Sequence, residues 1–597
     1  MCGIYGKINT NKIINKNVDD LKAMMIESEY RGPDSQEYKV VNHVQFGFNR
    51  LAIIDLDSRS NQPFERKDLG KIIVFNGEIY NYIEIKEELK SLGYSFTTDS
   101  DTEVFLVAYH HYKEEAFNLF NGMWACCIYD YINEQVLLSR DRFGVKPLYY
   151  MSEQEGFYFA SELKSLIKVK KELKRNQQAV NRFLVFGQNK FSNGETFIQN
   201  IMEHPAGTYS ILIENKLNIH KFYIVPTLSK NINLGKTNSL LRECFRSSLK
   251  LRMRSDVPIA LLLSGGLDST LIAFHLNDMI EKKEIDAKKI YAFTLNFEDF
   301  EDNEWNLVQN NAKHLPHICC EPININISDF KKELSNLIEE QDLPTLSVSH
   351  LIHIFTLRQI KKKGFKVIIN GQGPDEVFGG YFPIDIGYLV LDHITQNPFR
   401  AINEMRNLKK GWKYSYSKQS KLVIQAFIHK SAPKFYQRLK LLQINSLGLN
   451  KIHQNDIAKL ETEYTNEGYY AFRSKTQIFD KQFNGILNYE DMTSMLNSLE
   501  MRSPFLDYRI VNLGLSLPAS IKLKDGYSKW ILREALGDLL PDDIRWSNWK
   551  LGYPVPKHQL MNEIMPKNIK WDETNFSLHW RSYNLERWFN NYKVGKV

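Results

Sequence analysis

Pro258-Ile259-Ala260-Leu261-Leu262-Leu263-Ser264-Gly265-Gly266-Leu267-Asp268-Ser269 decides how the C-terminal half of this chain folds. Its apolar run is unbroken, as in a parallel strand buried on both faces. The adjacent Gly265 and Gly266 let backbone N–H groups approach a phosphate, and the helical segment that follows adds the positive end of its dipole. Ser264 and Ser269 can donate to phosphate oxygens, and Asp268 can hold a Mg²⁺ that neutralises pyrophosphate. No Lys follows the glycines, so this is not a Walker A loop.

Downstream, Ile290-Tyr291-Ala292-Phe293-Thr294-Leu295 reads as a second strand and Lys366-Val367-Ile368-Ile369 as a third. The third runs into the Gly-rich turn Asn370-Gly371-Gln372-Gly373-Pro374-Asp375-Glu376, where Asp375 offers a second metal carboxylate. Strands alternating with helices predict a doubly wound α/β domain. The residues from about 390 to 597 read as mostly helical, with Trp580, Trp588 and Phe589 expected in a core.

Upstream, short β-rich segments lie between turns, among them Val44–Phe48, Lys71–Phe75 and Gln135–Leu138. Helical periodicity is expected at about 78–92 and 102–119. Strands and helices without a βαβ rhythm predict an α+β layered domain. The expected division is 1–212 for this first domain, 213–236 for a weakly patterned linker, and 237–597 for the second domain, opening on a helix at about 237–252.

The chain has 597 residues, more than one core can organise. Its net charge of +7 comes from interspersed charges, which argues against nucleic acid as a partner. The six cysteines form no CxxC pair and no disulfide framework, which fits a reducing compartment. No apolar run is long enough to cross a bilayer, and MCGIYGKINTNK is not a secretory signal. The expectation is therefore a cytoplasmic chain without a membrane.

Cys2 follows the initiator Met. Removal of Met1 would put a thiol and a free α-amine on one residue, and an amine titrating near pH ~8 can serve as base for its own thiol. Other segments supply what such a nucleophile needs. Phe75-Asn76-Gly77-Glu78 reads as a strand ending in a turn, from which the Asn76 side chain and the Gly77 N–H can face a developing oxyanion. Arg50 can clamp a carboxylate through both guanidinium nitrogens. Asp101 could accept an ammonium or simply cap a helix. A carboxylate clamp, an ammonium acceptor and an oxyanion hole together suit bound glutamine.

MCGIYG, Arg31-Gly32-Pro33-Asp34, Arg50-Leu51-Ala52-Ile53-Ile54-Asp55-Leu56, Phe75-Asn76-Gly77-Glu78-Ile79-Tyr80-Asn81 and Arg140-Asp141-Arg142-Phe143-Gly144-Val145-Lys146-Pro147 resemble the class II glutamine amidotransferase domain. Such a domain is an N-terminal nucleophile sandwich. The resemblance implies Cys2 as nucleophile, Asn76 and Gly77 as the oxyanion hole, and Arg50, Glu78 and Asp101 as the holders of glutamine. Phe48 stands where that family usually has His.

The Ser264–Ser269 segment resembles the PP-loop of enzymes that cut ATP between its α- and β-phosphates. With the 370–381 loop, Leu499-Glu500-Met501-Arg502-Ser503-Pro504-Phe505-Leu506-Asp507 and Gly526-Tyr527-Ser528-Lys529-Trp530, it is similar to the asparagine synthetase family from about residue 237 to 556. That implies an ATP site lined by Leu262, Ser264, Gly265, Gly266, Asp268, Ser269 and Gly371, with Asp268 and Asp375 on Mg²⁺. Lys529 would stabilise the charge of an acyl-adenylate as it forms. The implied reaction takes L-aspartate, glutamine and ATP to asparagine, glutamate, AMP and pyrophosphate, with ammonia passing through an internal tunnel. Homodimers occur among such proteins, but no interface is readable here.

Two departures bear on the acceptor. Gln372 stands where asparagine synthetases usually carry an acid, and a neutral amide is no base. Their Asp-Glu-Pro appears here as Gln341-Asp342-Leu343-Pro344. The Gln372 change leaves room for another carboxylate, such as a sugar acid or a secondary-metabolite acid. Cys2 and Asp268 are both present, which argues against a catalytically silent scaffold. The SGGLDS segment argues against a phosphoribosyl-binding second domain.

Overall fold

The computed structural model describes residues 2–9, 17–189, 191, 193–229, 231–297, 303–445, 467–481, 483–548 and 576–595. Met1, whose removal would expose the Cys2 amine, lies outside them.

The first domain is built on two antiparallel six-stranded sheets. One has the order Met202–Glu203, Tyr149–Glu153, Gly156–Ala160, Gly3–Asn9, Val44–Arg50, Ser35–Val41. The other has the order Lys216–Lys221, Thr208–Ile213, Gln135–Arg140, Gly122–Asp130, Lys71–Ile79, Phe64–Arg66. Alternation along the strands sends Ile4, Phe46 and Phe48 from one sheet and Ile72, Val74 and Leu138 from the other into a shared core. The opposite phase of the second sheet, Ile73 and Phe75, packs on the helices Tyr82–Ser91 and Asp101–Tyr112. Outside the first sheet, Tyr5 packs against the helices Asp19–Glu27 and Leu163–Val169. The result is the expected α+β sandwich, in four layers.

Local details differ from expectation. Phe75–Glu78 is not a turn; it lies inside the strand Lys71–Ile79, paired with Gly122–Asp130. The following helix accordingly starts at Tyr82. The helix from Asp101 stops at Tyr112, where Lys113 takes a φ of 52°, and resumes over Ala116–Leu119. The hairpin Thr208–Lys221 carries the sheet past residue 212 into the stretch read as linker, because Thr208–Ile211 pairs with Leu137–Arg140.

The second domain holds a five-stranded parallel sheet in the order Ile318–Asn324, Ile290–Asn296, Ile259–Leu262, Val367–Ile369, Glu500–Arg502. Leu234–Arg252 and Leu267–Glu281 cover one face; Ile327–Glu339 and Val348–Lys362 cover the other. This is the doubly wound arrangement expected. A helical part follows, and the helix Phe576–Asn591 buries Trp580, Trp588 and Phe589 as expected. Among the described residues no helix is long and apolar enough to cross a membrane, and all six cysteines are free.

Polar contacts tie the domains together. Lys366 pairs with Asp34 at 2.7 Å. Asp342 accepts the backbone N–H groups of Leu163 and Lys164 at 3.1 and 2.8 Å. The Gln341–Pro344 segment thus serves the start of a first-domain helix.

Candidate active sites

The first site is a cavity where Cys2, just before the strand Gly3–Asn9, and the strands carrying Arg50 and Gly77 meet the start of the Asp101–Tyr112 helix. The Cys2 nitrogen, here a peptide N–H standing for the α-amine of a processed chain, donates to Asn76 Oδ1 at 3.0 Å. That fixes the Asn76 amide. Its Nδ2 is buried and meets no acceptor among the described residues. A buried amide donor without a partner costs roughly 1–3 kcal/mol, so it is poised for a ligand oxygen. Gly77 has no room for a side chain, since a Cβ there would lie 2.1 Å from the Met123 carbonyl. Burial raises the Cys2 thiol above its usual value.

Arg50 Nη1 donates to the Asp57 carbonyl at 2.9 Å and to Asn61 Oδ1 at 2.6 Å, and Nη2 donates to the Asp55 carbonyl. The 55–61 loop thereby aims the guanidinium along the cavity wall. Ser100 caps the helix by accepting from the Thr102 N–H. Asp101 is therefore not the cap; its Oδ2 accepts the Ile79 N–H at 2.9 Å. Burial pushes the Asp101 carboxyl up to about 6. Glu78 is also raised, first by burial and then by Glu500 and Asp101. Two buried carboxylates held above their usual range suit an incoming cation.

Phe48 lines this cavity where a His was noted as usual. Gln62, which the sequence reading passed over, does too: its Oε1 takes the Phe75 N–H at 2.6 Å and its Nε2 donates to Thr102 Oγ1 at 3.1 Å. The sequence flags it only as a residue before proline.

The second site opens at the C-terminal ends of the parallel strands, where open α/β sheets bind ligands. Leu262 ends its strand. Gly265 turns the chain with a φ of 68°. Ser269 Oγ accepts the Ser264 N–H at 3.1 Å and lies 3.0 Å from Ser264 Oγ. The loop thus points into the start of the Leu267–Glu281 helix, with Gly266 at its N-cap. Gly371 packs directly on this turn; a Cβ there would lie 3.0 Å from the Ser269 nitrogen.

Lys529 joins the loops, with Nζ 2.5 Å from Asp268 Oδ2 and 2.6 Å from Asp375 Oδ1. Burial pulls its ammonium down, but the two carboxylates outweigh that and hold it above its usual value. Among the described residues no group of three or more His, Cys, Asp or Glu is clustered to hold a metal by itself. Two carboxylates beside a phosphate-type loop nevertheless match Mg²⁺, which takes one or two protein carboxylates and completes its shell with phosphate oxygens and water. Gln372 sits in the same loop; its N–H points to Asn370 Oδ1 at 3.3 Å.

Buried ion pairs lie between the sites; an Arg–Glu structural pair is one reading of the 499–507 segment, whereas the contacts of Arg31 have no counterpart in the sequence pattern. Arg31 donates from Nε to the Cys2 carbonyl at 3.0 Å, from Nη1 to Glu162 at 2.9 Å and from Nη2 to Asp491 at 2.8 Å. Arg502 pairs with Glu500 at 2.6 Å and approaches Glu78 at 3.7 Å.

A cysteine just before the first strand, its nitrogen bonded to an amide whose own Nδ2 has no partner among the described residues, on a sandwich joined to a PP-loop-type domain, defines a glutamine-dependent amidotransferase. Comparisons sharpen this. Residues 1–223 match the glutamine amidotransferase domain model, and residues 240–571 match the asparagine synthase model. Asparagine synthetase [glutamine-hydrolyzing] 1 of Bacillus subtilis is 30% identical over 98% of this chain and 92% of its own length. Asparagine synthetase [glutamine-hydrolyzing] 3 of the same organism is 28% identical over 94% of this chain and 88% of its own. Amidase chyE of Penicillium rubens is 24% identical over 91% of this chain and 87% of its own. The chain belongs to the asparagine synthase family, and it is a glutamine-hydrolysing carbon–nitrogen ligase.

Proposed function

We propose that this chain transfers the amide nitrogen of glutamine to a carboxylate activated by ATP as an acyl-adenylate, with L-aspartate as the acceptor. The observation that carries the reading is the Asn76 side chain, which engages the Cys2 nitrogen through Oδ1 and leaves its Nδ2 buried without an acceptor among the described residues, between the cavity-lining Phe75 and Gly77.

The Cys2 amine takes the thiol proton as sulfur attacks the glutamine amide. Asn76 Nδ2 and the Gly77 N–H receive the oxyanion. Arg50 holds the substrate carboxylate, and Glu78 with Asp101 holds its ammonium. Ammonia leaves and water hydrolyses the thioester to glutamate. In the second domain the acceptor carboxylate attacks the α-phosphorus of ATP and pyrophosphate leaves. Ser264, Gly265, Gly266 and Ser269 cradle the phosphates. Lys529 compensates charge on the α-phosphate oxygens. Asp268 and Asp375 are the residues that would hold Mg²⁺, which supplies charge neutralisation to the leaving pyrophosphate. Ammonia then displaces AMP. Shielding it from water keeps it unprotonated, and apolar contacts of Met495 with Tyr80 and Met123 line the boundary between the sites.

Enzyme with glutamine, Mg-ATP and aspartate should release pyrophosphate in an aspartate-dependent manner and form asparagine. Absence of that dependence removes aspartate. A second reading, in which another carboxylate is amidated, is favoured by Gln372 in the loop; a panel of sugar acids and other carboxylates in the same assay tests it.

A further inference from the structure

The helix Phe483–Met495 carries two adjacent acids that face different domains. Asp491 faces the first, paired with Arg31 at 2.8 Å and Lys146 at 3.3 Å. Glu490 faces the second. Asn370 Nδ2 lies 2.8 Å from both of its carboxylate oxygens, and the Gln372 side chain hydrogen-bonds it as well. The Asn370 amide cannot turn round, because its Oδ1 accepts from Ser503 Oγ at 2.7 Å and from the Gln372 N–H. Glu490 is therefore an obligatory acceptor on the loop whose next residue, Gly371, touches the phosphate turn at Ser269.

Amide formation needs a proton acceptor here. The nitrogen that attacks an acyl carbon carries a positive charge until a proton leaves. The loop's own carboxylates are engaged elsewhere: Asp375 is paired with Lys529, and Glu376 accepts the Tyr381 hydroxyl. Gln372 has no basic atom.

We propose that Glu490 is the general base for amide formation, lying where ammonia crosses from the first domain to the adenylate. The step rests on the acyl-adenylate reading above. The ammonia lone pair forms the C–N bond, Glu490 takes one N–H proton, the acyl C–O bond to phosphate breaks with its electron pair on AMP, and Glu490 returns the proton to water. Burial lifts the Glu490 carboxyl to about 7, against the hydrogen bonds from Asn370 and Gln372 and the charge of Lys146, which lower it. That matches a base working near neutrality. The ionisable neighbour on its own helix is Asp491, committed to Arg31 and Lys146; on the helix Val348–Lys362, His350 stacks on the adjacent Tyr489, and burial pulls its ring pKa down to about 3.

The test uses E490Q in the full chain, with aspartate and the acceptor panel as probes. Three readouts are needed: glutamate release, acceptor-dependent ATP–pyrophosphate exchange, and amide formation from ammonium chloride across pH 6–9. The proposal expects the first two within about threefold of the parent and amide formation down about 10²-fold or more. The parent's rise in amide formation through pH ~7, referred to free ammonia, should vanish. Hydroxylamine, whose nitrogen sheds its proton far more readily, should be affected less. Amide formation within a few-fold of the parent overturns the proposal, as does loss of exchange together with amide formation. Absence of exchange in the parent with every acceptor overturns instead the adenylate reading on which it rests.

Discussion

Arg31 Nη2 and Asp491 Oδ2 lie 2.8 Å apart, both side chains buried, at a sequence separation of 460 residues. The same guanidinium touches the Cys2 carbonyl, and the residue before Asp491 holds the 370–372 loop. One buried ion pair thus lies between the glutamine site and the ATP site.

Removing Arg31 leaves Asp491 and Glu162 as buried charges short of a partner, and breaking such a pair costs about 3–5 kcal/mol. R31M should lower the thermal-unfolding midpoint. Where the protein remains folded, it should also release more glutamate per amide formed. A glutamate-to-amide ratio equal to the parent's would show that the pair holds the domains together without affecting transfer.

Cys2→Ala should cut glutamate release by about 10³-fold or more, because Cys2 is the one thiol among the residues lining the cavity. Amide formation from ammonium chloride should persist at the parent's rate, since the second site is separately built. Comparing the two nitrogen sources in one assay reads both.

Asn76→Ala should lower kcat for glutamine hydrolysis by about 10²–10³-fold, the usual loss for one oxyanion donor. Asn76 also fixes the Cys2 nitrogen, so the loss should appear in kcat more than in KM. A pure KM effect would make it a substrate anchor instead.

Much of this was legible, and the failures have physical causes. An apolar run followed by two glycines and an acid is a local signal, so the turn at 264–269 and its helix could be read directly. Asn76-Gly77 also looks like a turn locally. Its sheet position is set by a partner strand, and Gly77 is glycine because the Met123 carbonyl needs the space. The strand Glu500–Arg502 shows no apolar alternation, because its charges satisfy each other and Arg502 also donates to the Arg252 and Arg254 carbonyls. Arg31 was visible only as part of the Arg31-Gly32-Pro33-Asp34 motif, with no role attached, and Glu490 carried no local mark. Their roles come from partners far along the chain.

Lys529→Met should abolish acceptor-dependent ATP–pyrophosphate exchange, by about 10²-fold or more, while glutamine hydrolysis persists. The substitution also leaves Asp268 and Asp375 facing each other without their cation. Chelation of Mg²⁺ in the parent should stop exchange and spare glutamate release. An enzyme whose exchange survives either treatment does not use this site for ATP.

Asp101 couples stability to function through pH. Burial raises its carboxyl from an ordinary 3.8 to about 6 in the folded chain. A raised acid favours folding while protonated in both states; that advantage fades as pH rises from ~4 to ~6, leaving a penalty above. Asp101→Asn removes the charge and so removes the penalty. At pH 8 its unfolding midpoint should equal or exceed the parent's, and the gap should close by pH ~4. Glutamine binding should respond in the opposite sense, because an amide cannot pair with the substrate ammonium. KM for glutamine should rise about tenfold or more in the variant, as for loss of a charged hydrogen bond. In the parent KM should rise as pH falls through about 6. A variant less stable at pH 8 with an unchanged KM would place Asp101 in the scaffold, holding the Ile79 N–H, rather than in the glutamine site.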